Sequence, residues 1–203
     1  MNPLLAVAAP DDLVLEQLTV ECDNNEIAFE RVDAQLPPNA TGLLIYAPND
    51  ATFDESFDID LSQTVQQAIS ASVPILASAT GMHLLNATLD GSRPHETAAH
   101  AHAVTDERRR SSIFLAPGAK VSSTIGGSGW LSIQCDHRNG ISQADLAMDL
   151  MPSAIADDRV VEAYEMPGHQ WVIGVQWDIF SANPIPRGFD AIWMAFMERL
   201  AGD

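Results

Sequence analysis

The sequence predicts an α/β fold: a three-layer, mostly parallel, doubly wound sheet with an added antiparallel strand region in the second half. Two observations predict it. In the first half, short apolar runs that read as buried strands alternate with segments of helical period, as successive βαβ units do. In the second half strand candidates follow one another, and the chain closes on an amphipathic helix.

The first run, Leu4 to Ala9, reads as a buried strand. Leu13, Leu15, Leu18 and Val20 then give Asp12 to Val20 a helical spacing, with Asp11 as a candidate N-cap. Glu26 to Val32 reads as a strand, and Pro37 and Pro38 punctuate the loop after it. GLLIYA, residues 42 to 47, is a continuous apolar run of the kind that fully buried parallel strands show. Leu61, Val65, Ile69 and Val73 recur every fourth residue, so 61 to 73 reads as a helix capped by Asp60 and ended by Pro74. PILAS, 74 to 78, is another buried strand. It runs almost without a gap into GMHLLNATL, 81 to 89, where Met82, Leu85 and Leu89 share a helical face. A strand, an abrupt turn and a helix are therefore expected around 77 to 81.

Beyond that point the strand candidates are His102 to Thr105, Ile113 to Ala116, Trp130 to Cys135, Val160 to Glu165 and Trp171 to Gln176. Phe189, Ile192, Trp193, Phe196, Met197 and Leu200 follow an i, i+3, i+4, i+7 pattern, which is core packing by the last helix. No repeat or linker divides the chain, so residues 1–203 are expected to form one domain. Ligands of such sheets bind outside the carboxyl ends of the strands, which directs attention to 46 to 50, 77 to 81 and 176 to 180.

With 203 residues, of which 46% are hydrophobic, the chain can bury a full core, and disorder is not expected. A formal charge of −18, with Lys120 as the one lysine, repels phosphate backbones and argues against a nucleic-acid partner. The basic run Arg108 to Arg110 follows Asp106 and Glu107 and reads as a solvated segment. No apolar run approaches the roughly 18 to 20 residues of a membrane span. The start lacks a basic region, so a cytoplasmic protein is expected. Cys22 and Cys135 stand in no metal or redox spacing and are expected to be free thiols.

Three segments together resemble class I glutamine amidotransferases, especially the gamma-glutamyl hydrolase branch that acts on gamma-glutamyl-GABA and related amides. PILASATGMHLLNATLDG, 74 to 91, is similar to the family's strand, sharp elbow and helix. PGAKVSSTIGG, 117 to 127, followed by WLSIQCDHRNGI, 130 to 141, matches a proline-glycine turn, a short helix and a strand ending in a serine and histidine motif. VVEAYEMPGHQWVIGVQWD, 160 to 178, resembles a hairpin that ends in GVQWHPE. The resemblance runs from about residue 42 to the end and implies the fold already expected, of flavodoxin-like type.

The resemblance also implies a chemistry, and this sequence departs from it at each catalytic position. The family's elbow cysteine attacks the amide carbonyl, a histidine activates it, and a glutamate orients the histidine. Here those positions are Ala79, Asp178 and Phe180. The family's oxyanion glycines correspond to Tyr46, Ala47, Pro48, Asn49 and Asp50, and Pro48 has no N–H to donate. The arginine after the elbow is Thr80, and a double histidine is reduced to His137 and Arg138. Losing a nucleophile and its base removes roughly six orders of magnitude in turnover. The expected function is a non-catalytic member of the fold that binds a small metabolite or regulates or assembles with a partner protein, a second copy included. The alternatives are a hydrolase with altered chemistry using Asp178, Asp136 or His137, and an amidotransferase-like subunit serving a synthase. Tyr46, Asn49, Thr80, Asp136, His137 and Gln176 are the candidate cleft residues.

Cys135 beside His137 invites a nucleophile reading, but a buried thiol and a rim histidine is the favoured one. His95, His100 and His102 lie beside Glu96, and the last two would share a strand face and suit zinc. The resembled family has a histidine-containing segment there without a metal, so neither metal nor cofactor is expected.

Overall fold

The computed structural model describes residues 3–9, 12–32, 34–49, 51, 55–97, 100, 110–133, 135–169, 171–180 and 188–201. In chain order these form β1 (Leu4–Ala8), α1 (Asp12–Asn24), β2 (Ala28–Arg31), β3 (Gly42–Ala47), α2 (Glu55–Ser70), β4 (Ile75–Ala79) and α3 (Thr80–Thr88). There follow β5 (His95–Glu96), β6 (Ser111–Leu115), α4 (Lys120–Ile125), β7 (Gly129–Ile133) and β8 (Asn139–Gly140). The chain ends with β9 (Met151–Ala156), β10 (Val161–Glu165), β11 (Val172–Val175) and α5 (Ala191–Leu200). The expected strand at His102 to Thr105 and the Asp11 cap lie outside the described residues.

Nine strands form one sheet in the order β2-β1-β3-β4-β11-β10-β9-β6-β7. The pairs from β2 to β11 are parallel, and those from β11 to β7 are antiparallel. The mixed sheet thus changes character at β11, as the sequence predicted. Its parallel half is apolar on both faces: every residue of β3 and β4 is buried. Alternate side chains feed two cores. Leu44, Tyr46 and Leu76 pack with Leu18 of α1, Val121 of α4 and Phe196 of α5. Leu43, Ile45, Ile75 and Ala77 pack with Leu61 and Val65 of α2 and Met82 and Leu85 of α3. Helices on both faces make the third layer. Burying one such Leu, Ile or Phe contributes about 1.5–3 kcal/mol, so these stripes fix which side each helix covers.

Two expectations need correction. Helix α2 starts at Glu55, so Asp60 lies inside the helix and is not its N-cap. The every-fourth apolar spacing of Leu61, Val65 and Ile69 extends back to Phe57, so the first turn belongs to the same series although acidic residues surround it, as suits a helix N-terminus. Strand β9 is absent from the expected strands, and its Pro152 is a residue that central strands ordinarily exclude. It forms because Pro152 sits opposite Tyr164 at a register irregularity, where the ladder is already interrupted.

A candidate functional site at the strand ends

The carboxyl ends of β3, β4 and β11 meet at the elbow between β4 and α3. Ala79 sits there with φ 55° and ψ −129°, and its side chain is fully buried. That backbone region is strained for a residue with a Cβ, by about 1–3 kcal/mol, and such strain is characteristic of a nucleophile elbow. The scaffold therefore presents position 79 as a catalytic elbow would, but presents a methyl group.

The space beside it is filled. Tyr46, at the end of β3, points its hydroxyl at both carboxylate oxygens of Asp178, 3.0 Å from each. The Phe180 N–H donates to the same carboxylate at 2.9 Å. The Phe180 ring meets Tyr46 edge-on at 5.1 Å and Trp193 of α5 at 5.1 Å. Ser78 ties the segment down: its hydroxyl donates to the Trp177 carbonyl at 2.9 Å and accepts from the Ile179 N–H at 3.2 Å. Thr80 donates to the Pro48 carbonyl at 2.7 Å, and the Gln176 amide reaches Asn49 at 3.4 Å. Tyr46, Asn49, Thr80, Gln176, Asp178 and Phe180 are thus brought together as a packed plug. Tyr46→Phe is expected to lower stability by about 1 kcal/mol, read by urea denaturation, because Asp178 loses its phenolic donor.

The other cleft candidates lie elsewhere. Asp136 is exposed, whereas its neighbours Cys135 and His137 are buried on the opposite side of the chain. The expectation of a rim position for His137 is therefore wrong: it is only 3% exposed. The pairing of β5 with β8 lays residues 95–97 alongside 138–140. His100, Cys135, His137 and Glu162 of β10 converge there, with one ligand atom of each within 4.8 Å of all the others. Glu162 Oε1 lies 3.1 Å from His100 Nδ1 and 3.3 Å from His137 Nε2. Burial alone would pull both imidazoles down and push the carboxyl up. The thiol and carboxylate beside the histidines, and the histidines beside Glu162, outweigh it, so both imidazoles are raised above their ordinary range and Glu162 is lowered. The sequence signalled Cys135, His137 and His100 separately but not Glu162. Its signal was an acidic residue within the apolar strand VVEAY. His95 does not join the group, being exposed and facing Asp145, and His102 lies outside the described residues.

A small pocket of about 130 Å³ remains next to the elbow, at the start of α3, lined by Ala51, Thr80, His83, Leu84, Arg93 and Asn139. Sites for small organic ligands usually enclose about 300–1,000 Å³.

The peptidase C26 family model matches residues 47–178, more than half of the chain. A Mycobacterium tuberculosis protein assigned as a glutamine amidotransferase is 29% identical over 116 residues, which cover 54% of this chain and 36% of that protein. The match thus spans about a third of that relative's length. Among solved structures, the glutaminase domain of Trypanosoma brucei CTPS, with bound acivicin, superposes with a TM-score of 0.68 at 14% identity. That match covers 98% of this chain and 94% of that one. A Thermoplasma acidophilum protein assigned as part of a GMP synthase gives a TM-score of 0.69 at 14% identity, covering 99% and 95%. These two likenesses establish the shared fold.

Proposed function

The chain belongs to the peptidase C26 family, and from that premise we propose that it is a catalytically degenerate, non-catalytic member with a partner-binding or regulatory role. One observation carries the reading. The position that resembles the family's nucleophile is Ala79, fully buried beside a plug in which Tyr46 holds Asp178 and Phe180 packs on Tyr46. An amidohydrolase needs a nucleophile, a base within about 3 Å of it, and donors aimed at the oxyanion. At this elbow the nucleophile is a methyl group, Asp178 is occupied by Tyr46, and Pro48 has no N–H.

The plug also disfavours a metabolite in the old cleft, which leaves a protein partner as the better occupant of the retained scaffold. The likeness to a glutaminase domain and to a protein assigned as part of a synthase supports that choice, because such folds work attached to other polypeptides. The hydrolase alternative gains nothing from the geometry: Asp136 faces solvent, His137 is buried against Glu162, and Asp178 is held by Tyr46. Ammonia and glutamate release from glutamine and gamma-glutamyl amides is expected to match a heat-denatured control. Turnover that disappears in Asp178→Asn but persists when a distant surface residue is changed would refute the proposal.

A further inference from the structure

We propose that His100, Cys135, His137 and Glu162 form a binding site for a divalent transition ion, zinc in the first instance, that is structural and separate from the elbow. A thiolate, two imidazoles and a carboxylate are all ligand types that tetrahedral zinc takes. Ligand atoms about 2.0–2.1 Å from a tetrahedral ion stand about 3.3–3.4 Å apart. Glu162 Oε1 already lies 3.1 and 3.3 Å from the two imidazole nitrogens. All four ligand atoms lie within 4.8 Å of one another, so the widest separation would have to close by about 1 Å to reach tetrahedral spacing.

The second observation is how each ring is held. His100 Nε2 lies 2.9 Å from the Asp158 carboxylate, and His137 Nδ1 lies 2.9 Å from the Asn139 carbonyl. A carboxylate or carbonyl can only accept, so each outer nitrogen donates its proton outward, and the other nitrogen faces the centre, where it would give up its own proton to take an ion. A carboxylate or carbonyl on the far side of a histidine is the usual support of a metal ligand. The inward atoms are the ones left without a well-directed hydrogen bond: His100 Nδ1, His137 Nε2 and Glu162 Oε1. The four residues are 1%, 3%, 3% and 1% exposed. Two imidazoles, a thiol and a carboxylate buried together are costly to desolvate even where the carboxylate pairs with the imidazoles. An ion satisfies all of them at once, and one thiolate plus one carboxylate neutralise its two charges. Four buried protein ligands leave no open coordination position, which distinguishes a structural site from a catalytic one. The ion would join three segments distant in sequence: the turn after β5, the link from β7 to β8, and β10.

Elemental analysis of the full-length protein, purified without chelator, is expected to find about one zinc per chain, as a single closed site requires. Cobalt(II) in its place should give the intense visible absorption of a tetrahedral site and a thiolate-to-cobalt charge-transfer band that Cys135→Ser abolishes. Because Cys135→Ser removes a buried group, Asp158→Asn provides a second variant at an exposed position. It should weaken binding roughly 10–100-fold in competition with a chromophoric chelator, whereas His95→Ala should leave binding unchanged. Protein that carries no zinc and gives no cobalt band with excess metal would overturn the proposal, as would equal weakening by His95→Ala and Asp158→Asn. None of these readouts depends on whether the elbow is catalytically silent.

Discussion

Gly81→Ala is expected to destabilise the protein by about 3 kcal/mol or more, enough to threaten folding in a domain whose total stability is about 5–15 kcal/mol. Gly81 is the second residue of α3, and in an exposed helix the change would gain about 1 kcal/mol from better helix propensity. Here the sign reverses, because α3 leaves the elbow pressed onto the backbone of β3. A Cβ at this position would overlap the Ile45 carbonyl oxygen, stand 2.7 Å from the carbonyl carbon and 3.1 Å from Tyr46 Cα. These are backbone atoms of a fully buried strand, paired to β1 on one side and β4 on the other, so nothing can swing away. Relief requires moving α3 off the sheet, which would open the core formed by Met82, Leu85 and Ile45. Urea denaturation gives the number. A loss below 1 kcal/mol would mean that α3 rides on the sheet more loosely than its packing indicates.

The same close approach shows why the fold was legible in the sequence. GLLIYA and PILAS are unbroken apolar runs because β3 and β4 are covered on both faces, and continuous burial leaves a one-dimensional trace. The elbow was legible for the same reason, since a strand passing into a helix without linker residues must turn sharply. What the sequence hid were features set by pairing partners. Pro152 enters β9 because of an irregularity opposite Tyr164 that no local rule foresees. The four-residue group behind α3 draws His100, Cys135, His137 and Glu162 from separate segments. Their spacing resembles no metal motif, and only the short β5–β8 pair and the antiparallel placement of β10 bring them together. The plug was half legible. Tyr46, Asp178 and Phe180 each stood out as departures from the family pattern, but that they would bind one another, rather than line a cavity, depends on three strand ends converging.

Acid should weaken the fold through His83 well before general carboxylate titration accounts for it. His83 lies on α3 at 3% exposure, and neither ring nitrogen makes a well-directed hydrogen bond. Burial, with His137 adding to it, pulls its pKa from 6.5 down to about 4. The Asn139 carbonyl, Glu162 and Gln176 lie close enough to offset this only in part. With the folded pKa depressed, the unfolded chain takes up the proton first. Its contribution is therefore fully present above pH 6.5 and is lost as the pH falls from there toward 4, reaching about 3 kcal/mol. His83→Leu removes the titration while keeping a side chain of similar size. The wild-type protein is expected to lose stability relative to this variant between pH 7 and pH 4, and the difference should be independent of pH above 7.5. Carboxylates titrate in both proteins, so the difference isolates His83. Parallel stability profiles over that range would show that the imidazole accepts a proton in place, with water reaching the inner face of α3 through the pocket it lines.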